Sequence, residues 1–245
     1  MSKKYDCIIV GAGPSGMYCA YELMLKKPEY KVLLIDKGHD IYDRQCPILQ
    51  GKIEKCPVDR NGYHGCKPSC SISTGFGGAG AYSDGKYNIT NEFGGWLNEY
   101  LDDDELMELI NYVDKLNLEH GANPEITDPY TSEVRKIEKL AIGAGLKLLR
   151  SKVRHLGTEE NIQILKNFRD EMANHIDYRF RTKVGDLLIE DDKCVGVVLC
   201  DGTEIYGDNV ILGVGRDGSS WLEEVLQKHD IKFKNNQVDI GVRVE

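Results

Sequence analysis

The most regular pattern of hydrophobic and polar positions lies in the first 36 residues. An apolar run, Cys7 to Val10, leads into a glycine-rich turn and a stretch with helical spacing. A second apolar run, Val32 to Ile35, follows and ends on Asp36. This order predicts a strand, a helix and a second, parallel strand, which is the context in which a Gly-x-Gly-x-x-Gly turn binds a dinucleotide.

Beyond Asp36 the pattern predicts an irregular segment to about residue 91 and then three helices. Helical spacing covers about residues 95–118 and 132–150, and a third helix starts at Thr158, a good N-cap residue. Four short runs separated by turns then predict an antiparallel meander: residues 177–181, 184–190, 194–200 and 203–206.

The last part of the chain returns to buried, parallel-strand character. Residues 209–215, NVILGVG, form an uninterrupted apolar run that closes on glycines. A short helix over about 220–228 and a final strand over 238–245 follow. The chain therefore has the α/β pattern of a parallel sheet with an antiparallel β-meander and a helical insertion, which predicts a Rossmann-like fold.

Composition and charge restrict the classes of partner. The chain has 31 basic and 40 acidic residues and a formal net charge of −9, which disfavours a nucleic acid. No apolar run approaches the ~20 residues of a membrane span, and a core strand within five residues of the start leaves no room for a signal peptide. We expect a cytoplasmic protein with a small-molecule substrate and no membrane partner; the sequence does not indicate an oligomeric state.

The glycine-rich turn, GAGPSG, assigns a separate physical task to each glycine. Gly11 permits the tight turn, Gly13 lets a pyrophosphate approach the backbone, and Gly16 lets the helix pack close to the strand. Phosphates would then lie at a helix N-terminus. Asp36 is placed to accept hydrogen bonds from an adenosine ribose and to repel a 2′-phosphate. The candidate contacts here also include Pro14, Ser15 and Lys37.

Eight cysteines in a cytosolic chain suggest thiols, metal ligands or redox groups. Cys46, Cys56, Cys66 and Cys70 lie within 25 residues, close to His64. Their spacing of 9, 9 and 3 intervening residues lacks the short paired loops of common metal sites, so a metal remains the weaker alternative. Thiol redox chemistry, as between Cys66 and Cys70, and simple packing of the loop stay open. We expect the remaining four cysteines to pack in the core: Cys7, Cys19, Cys194 and Cys200.

Three further features each allow two interpretations. His155 is a candidate proton donor, although a lone histidine before a helix is more often structural. Ser83, Asp84 and Lys86 either contact a ligand or close their loop. Gly143 and Gly145 imitate a second nucleotide motif but lie inside a helical pattern, so we expect no second site there.

The order of GAGPSG, acidic strand end, meander and VILGVG resembles the flavin-binding domain of FAD-dependent oxidoreductases related to glutathione reductase. More specifically, DRQCPI, the four cysteines, GFGGAGAYSDGK, HLGTEEN and DIGVRVE resemble a poorly characterised family of bacterial and archaeal FAD-dependent dehydrogenases. The resemblance implies FAD at the first motif. It also implies further cofactor contacts at Gly77, Gly78, Ala79, Gly80, Val184, Gly213 and Gly215, with Gly75 in the same glycine-rich run.

These features predict an FAD-dependent oxidoreductase, with NAD(P)H as a plausible electron donor and an unknown acceptor. An incomplete or non-catalytic FAD-binding module and a flavin-dependent RNA-modifying enzyme are the alternatives. The prediction assigns residues 1–91 and 176–220 to the FAD-binding domain, 92–175 to a helical insertion or cap, and 221–245 to the start of a substrate domain. Because the resemblance also implies a later Gly-Asp flavin segment, we expect this sequence to be the N-terminal portion of a longer enzyme.

Overall fold

The computed structural model describes residues 4–56, 66, 69–235 and 240–241. Within them the chain forms eight strands and five α-helices. The strands are β1 (Tyr5–Val10), β2 (Val32–Ile35), β3 (Lys86–Ile89), β4 (Lys152–His155), β5 (Ile176–Arg179), β6 (Val184–Glu190), β7 (Lys193–Leu199) and β8 (Glu204–Leu212). The helices are α1 (Pro14–Lys26), α2 (Asp103–Glu119), α3 (Ser132–Gly143), α4 (Gly157–Glu171) and α5 (Ser219–Lys228).

A mixed six-stranded sheet with the order β5-β2-β1-β8-β7-β6 organises the molecule. The first four strands of that order are parallel, and β6, β7 and the start of β8 pair antiparallel. The predicted first unit is confirmed: β1 and β2 pair in parallel from Cys7–Val32 to Val10–Ile35, with α1 between them in the chain. The architecture is a Rossmann-like α/β fold with an antiparallel meander.

Two strand predictions were wrong in how they grouped the runs. The run at 177–181 does not belong to the meander, because β5 pairs in parallel with β2 at the edge of the sheet. The runs at 203–206 and 209–215 are not separate strands either. They form the single strand β8, which pairs with β7 through Glu204 to Tyr206 and with β1 from Gly207 to Leu212.

The helix predictions were right in number and partly wrong in their bounds. α2 begins at Asp103, where the Asp102 carboxylate caps the backbone N–H of Glu105, and not at residue 95. α3 ends at Gly143 instead of 150, since Gly145 adopts a left-handed φ of +73° that ends a helix. Thr158 does not cap α4: its hydroxyl donates to the Ser83 carbonyl.

A second, two-stranded antiparallel sheet of β3 and β4 was not predicted. It joins the irregular segment after β2 to the segment that precedes α4. The predicted strand over 238–245 lies outside the described residues, apart from Ile240 and Gly241. No helix in the described part of the chain is long and apolar enough to cross a membrane.

The central parallel strands β1 and β2 are buried on both faces, which explains their apolar sequences. On one face, Cys7 and Ile9 of β1 pack in a core with α1 and α4, to which Phe168 contributes a fully buried ring. On the other face, Ile8 and Val10 pack with the meander and α5. Packing in these two layers fixes the strand ends that carry the site.

Candidate functional site

A cavity of about 630 Å³ lies at the carboxyl ends of β1, β2 and β8. In an open parallel sheet, ligands bind where successive connections leave in opposite directions, and β1 lies at that point here, between β2 and β8. The volume is within the range of about 300–1,000 Å³ that is typical of ligand pockets. The cavity is therefore the candidate functional site.

The glycine turn between β1 and α1 forms the floor of the cavity. α1 begins at Pro14, and no side chain caps its first turn. The first N–H groups of a helix have no partner within the helix, and the helix dipole makes this end positive. Pro14 lacks an N–H, so the free donors begin at Ser15. This end of α1 is suited to an anion such as a pyrophosphate.

The three motif glycines differ in the space that surrounds them. A Cβ on Gly11 would lie 2.4 Å from the Gly213 carbonyl oxygen, and a Cβ on Gly16 would lie 1.8 Å from the Gly11 carbonyl oxygen. These two residues are therefore glycines because of packing within the protein. Gly13 differs, because the nearest atom to its Cβ would be Gly78 Cα at 3.9 Å. The space beside Gly13 belongs to the cavity.

Asp36 directly follows β2 and supports the glycine turn. Its carboxylate accepts hydrogen bonds from the backbone N–H of Ala12 at 2.8 Å and of Gly38 at 2.6 Å. Each carboxylate oxygen has a second lone pair, so these bonds leave acceptor capacity at the cavity. Asp36 thus fixes the turn and retains the ability to accept a hydroxyl hydrogen bond from a ligand.

An ion pair spans the mouth of the cavity. Lys37, next to Asp36, pairs with Asp217, which lies in the 3₁₀ helix Arg216–Gly218 after β8. The Lys37 ammonium also donates to the Asp217 carbonyl at 3.3 Å. Both side chains remain partly exposed, so the contact joins two walls of the cavity at its solvent edge.

The third wall is the glycine loop, residues 75–80. The loop is anchored from the cavity floor, since Gly77 N–H donates to the Ala12 carbonyl at 2.8 Å. Its far end is held by α4, where the buried Asn161 amide donates to the carbonyls of Gly80 and Ala81 at 2.8 and 3.1 Å. Gly78 faces Gly13 across the floor, with a would-be Cβ 3.1 Å from Gly13 Cα.

Arg44 lies behind the glycine loop with only 3% of its surface exposed. Its guanidinium donates to four backbone carbonyls of the segment that leads into and forms the loop. Burial lowers the pKa of Arg44 to about 10, which still leaves it charged at neutral pH. The sequence pattern did not single out Arg44 as a site residue. Its motif, DRQCPI, contributed only to the family resemblance.

The fourth wall comes from the meander and the end of β8. Val184, the first residue of β6, lines it together with Gly213 and Gly215. Gly213 N–H donates to the Val10 carbonyl at 2.8 Å, which ties this wall to β1. Trp221 of α5 also lines it and donates its indole N–H to the Gly185 carbonyl at 3.0 Å.

The cavity brings together most of the residues that the sequence singled out for a cofactor. Gly16 and Gly77 do not line it; they pack against Gly11 and Leu165 instead. Lining residues that were not foreseen include Thr74, Thr182, Lys183, Arg216 and Trp221. Arg216 and a further lining residue, Asp217, directly follow the VILGVG run, so its resemblance could have indicated them. The foreseen residues that line it are Gly11, Gly13, Pro14, Ser15, Asp36, Lys37, Gly78, Ala79, Gly80, Val184, Gly213 and Gly215.

The candidates for other chemistry lie outside the cavity lining. His155 on β4 is half exposed, and its Nε2 lies 3.0 Å from Asp84 Oδ2. Lys86 donates to the same carboxylate at 2.7 Å, and these bonds from Lys86 and His155 lower the pKa of Asp84. Ser83 donates to the Gly80 carbonyl at 2.6 Å. In the structure, these polar residues connect β3, β4 and the end of the glycine loop.

None of the four clustered cysteines is among the cavity lining. Cys46, Cys66 and Cys70 are partly buried and Cys56 is exposed, while His64 lies outside the described residues. Among the residues that are described, no three His, Cys, Asp or Glu side chains are arranged to hold a metal ion.

The packing interpretation holds for Cys7, which is buried and whose thiol pKa is raised by burial to about 11. It was wrong for Cys200, which is exposed because it lies in the turn after β7.

Several solved structures are similar in shape to this chain at low sequence identity. Glycine oxidase from Geobacillus kaustophilus is 15% identical with a TM-score of 0.46, covering 91% of this chain and 58% of that one. L-amino acid deaminase from Proteus vulgaris is 12% identical with a TM-score of 0.46, covering 94% and 51%. Quinol fumarate reductase from E. coli is 14% identical with a TM-score of 0.48, covering 87% and 33%. At these values the similarities carry no argument about activity.

Two curated relatives match the sequence. An uncharacterized protein of Clostridium beijerinckii is 25% identical over 239 residues, which is 97% of this chain and 36% of the relative. An uncharacterized protein of Methanosarcina barkeri is 60% identical over 35 residues, 14% of this chain and 8% of the relative. The chain thus spans about a third of the first relative's length. The model of the NAD(P)-binding Rossmann-like domain matches residues 9–44, the segment that holds the glycine turn and Asp36.

Proposed function

We propose that this chain is the FAD-binding part of an oxidoreductase. The observation that carries the proposal is the single continuous cavity in which the glycine turn, Asp36 and the glycine loop meet. The turn and Asp36 suit the pyrophosphate and adenosine ribose of any dinucleotide. The glycine loop extends the backbone-lined surface beyond the turn, as the resemblance to flavin enzymes implies.

The residues present fit such a cofactor on physical grounds. The uncapped start of α1 supplies donors for the pyrophosphate, and the open space beside Gly13 leaves room for it. Asp36 has acceptor capacity for the ribose hydroxyls, and its negative charge disfavours a 2′-phosphate. Val184 and Trp221 provide an apolar wall at the meander side.

When bound, FAD supplies the hydride or electron transfer that protein side chains lack. The chain's own part is to orient the cofactor, to limit access of water and to provide electrostatic support. Reduced nicotinamide is the proposed electron donor, and the proposed acceptor is a small molecule. A binding module without catalysis would use the same cavity, so binding and turnover require separate tests.

The first experiment measures cofactor binding to the purified chain. We expect a yellow protein, or an apoprotein that recovers flavin absorption with FAD and releases FAD on denaturation. FMN is the matched control, because it lacks the adenosine half that the glycine turn and Asp36 recognise. FAD should bind at least about tenfold more tightly than FMN, a difference of about 1.4 kcal/mol.

The second experiment distinguishes an enzyme from a module. Anaerobic addition of NADH or NADPH to the FAD-loaded protein should bleach the visible flavin absorption, and addition of an electron acceptor should restore it. Tight FAD binding without bleaching by either nucleotide supports the module. Binding of NAD⁺ in preference to FAD, or of no dinucleotide at all, would overturn the proposal.

A further inference from the structure

Arg44 is a buried cation that the proposed function does not yet use. It lies in the irregular segment after β2, yet its side chain is enclosed behind the glycine loop. Burial of a charged group costs free energy unless hydrogen bonds or an opposite charge compensate. The contacts of Arg44 therefore show how its buried charge is stabilised and which segments it holds.

Within the described residues, the guanidinium donates hydrogen bonds to backbone carbonyls only. Nε donates to Ser71 at 2.8 Å and Nη2 to Ile72 at 2.8 Å, so two bonds hold the segment that enters the loop. Nη1 donates to Phe76 at 2.6 Å and to Gly78 at 2.8 Å, inside the glycine loop itself. Because the guanidinium is planar and rigid, its hydrogen bonds fix the positions of the four carbonyl groups relative to one another.

The glycine loop needs such an external constraint. Gly75, Gly77 and Gly78 all have positive φ values, of 106°, 79° and 60°. Glycine has more backbone freedom than any other residue, so its sequence alone does not favour this shape over others. Gly78 is at once an Arg44 acceptor, a lining residue of the cavity and the neighbour of Gly13. The shape of the wall opposite the proposed pyrophosphate site therefore depends on Arg44.

Among the described residues, the charge of Arg44 is offset by electrostatic interactions with Tyr82, Asp36 and Cys70 and not by a salt bridge. The Tyr82 ring lies 5.2 Å from Arg44 Cζ. The Gly78 carbonyl separates the positive charge from the cavity. In the low dielectric of the interior, such a charge acts on an anion more strongly than an exposed one does.

We propose that Arg44 is a positioning residue for the cofactor pyrophosphate: it holds the glycine loop in its binding shape and adds positive charge behind that wall. This inference rests on the proposed function. It does not make Arg44 a contact of the cofactor.

The test compares Arg44→Lys and Arg44→Met with Arg154→Lys as the matched control. Arg154 is as buried as Arg44, but it pairs with Asp114 and donates to the Asn123 carbonyl, and none of these three residues lines the cavity. Lysine keeps the positive charge but lacks the planar guanidinium, and methionine removes both the charge and the guanidinium. Circular dichroism and thermal unfolding report the fold, and calorimetry reports the dissociation constants of FAD, ADP and adenosine at a temperature where each variant is folded.

We expect Arg44→Lys to weaken FAD and ADP binding about tenfold and Arg44→Met about a hundredfold, steps that correspond to about 1.4 kcal/mol each. Adenosine, which carries no phosphate, should keep its affinity in both variants. Arg154→Lys should lower the unfolding temperature and leave all three affinities unchanged.

The outcomes separate this inference from the proposed function. Wild-type protein that binds no FAD overturns the proposed function and this inference with it. Unchanged FAD and ADP affinity in folded Arg44→Met overturns the role of Arg44 alone, as does an equal loss of ADP and adenosine affinity. If Arg44→Met does not fold, Arg44→Lys decides by the same comparison of ADP with adenosine.

Discussion

At the scale of single residues, Gly11 and Gly13 separate what the fold needs from what a ligand needs. Both lie in the same turn, but only Gly11 has a positive φ, of 103°, and a backbone oxygen in the way of a Cβ. Gly13 has φ −68° and ψ −178°, which alanine adopts without strain. Replacement by alanine should therefore affect different properties at the two positions.

We predict that Gly13→Ala folds with stability within about 1 kcal/mol of wild type. Alanine is a weaker helix cap, which destabilises the protein slightly, but it also lowers the conformational entropy of the unfolded chain, which stabilises it. Its methyl group would occupy the proposed pyrophosphate space, so FAD affinity should fall at least about tenfold. Denaturant unfolding of the apoprotein and a flavin titration measure the two quantities. Retained FAD affinity in Gly13→Ala would contradict the assignment of the phosphate site.

Gly11→Ala is the contrasting variant. The clash with the Gly213 carbonyl and the strained φ should cost about 3 kcal/mol or more of unfolding free energy, with or without FAD. Gly95→Ala serves as the neutral control, because its Cβ would meet no atom within 4 Å and its φ is not positive. Equal stability of Gly11→Ala and Gly95→Ala would show that the turn relaxes more easily than its geometry indicates.

The contrast between Asp36 and Arg44 explains which site residues a sequence can reveal. Asp36 follows directly after a periodic strand at a fixed offset from the glycine turn, so local pattern identifies it. Arg44 lies in an irregular segment, and its four acceptors are 27 to 34 positions away along the chain. Its task depends on a loop conformation for which no periodicity exists.

At the scale of elements, α5 is tied to the meander through Asp186 on β6. This carboxylate accepts hydrogen bonds from Lys228 at the end of α5 and from His229 Nε2 at 2.8 Å, and the Leu187 N–H also donates to it at 2.8 Å. Partial burial raises the pKa of Asp186, but the bonds from Lys228 and His229 outweigh it and lower the pKa below its usual value. The folded state therefore favours the ionised form.

The sign of the pH effect follows from this direction. A carboxyl whose pKa is lower in the folded state adds stability at pH values above its unfolded pKa of about 3.9, and that stability is lost as pH falls through the folded pKa. We predict that Asp186→Asn lowers the unfolding free energy by about 1 kcal/mol at pH 7 and by less near pH 3. Paired denaturant titrations at the two pH values measure it.

Asp201→Asn is the control for a carboxylate with a lowered pKa but no contact with α5, since its partner is the Thr203 backbone in the β7–β8 turn. It should leave the attachment of α5 unchanged, which the environment of Trp221 reports through its fluorescence. A difference between wild type and Asp186→Asn that is as large at pH 3 as at pH 7 would contradict the ionised role of Asp186.

Element prediction succeeded where local pattern and tertiary packing agree, as in β1, α1 and β2. It failed for the pairing of β5, because a short run does not show which strand lies beside it, and β2 rather than β6 does so here. It also failed for β3 and β4, which pair over a separation of more than 60 residues along the chain. α3 ended early because Gly145 adopts a conformation that is costly in a helix, which apolar spacing alone does not reveal.

At the scale of the whole molecule, β8 joins two halves of the chain: the N-terminal half that contains β1, and the later half that contains the meander. Its first residues close the meander, and its last residues pair with β1 and carry Gly213 into the glycine turn. The cavity therefore has walls from segments at both ends of the chain, joined at the solvent edge by Lys37 and Asp217. A ligand that fills the cavity contacts both halves, and its binding energy stabilises their association.

This arrangement predicts that FAD stabilises the whole fold, by an amount that grows with the logarithm of free FAD over its dissociation constant. At free FAD a hundredfold above its dissociation constant, linkage adds about 2.7 kcal/mol to the unfolding free energy. For a domain of this size that corresponds to a rise of about 5–10 °C in unfolding temperature.

Thermal unfolding followed by circular dichroism at increasing FAD concentrations measures this rise, with Gly13→Ala as the variant in which the shift should require much more FAD. Because the β1–β8 pairing and the cavity both join the two halves of the chain, the shift should appear in one cooperative transition. Two transitions, of which FAD moves only one, would show instead that the site belongs to a single half.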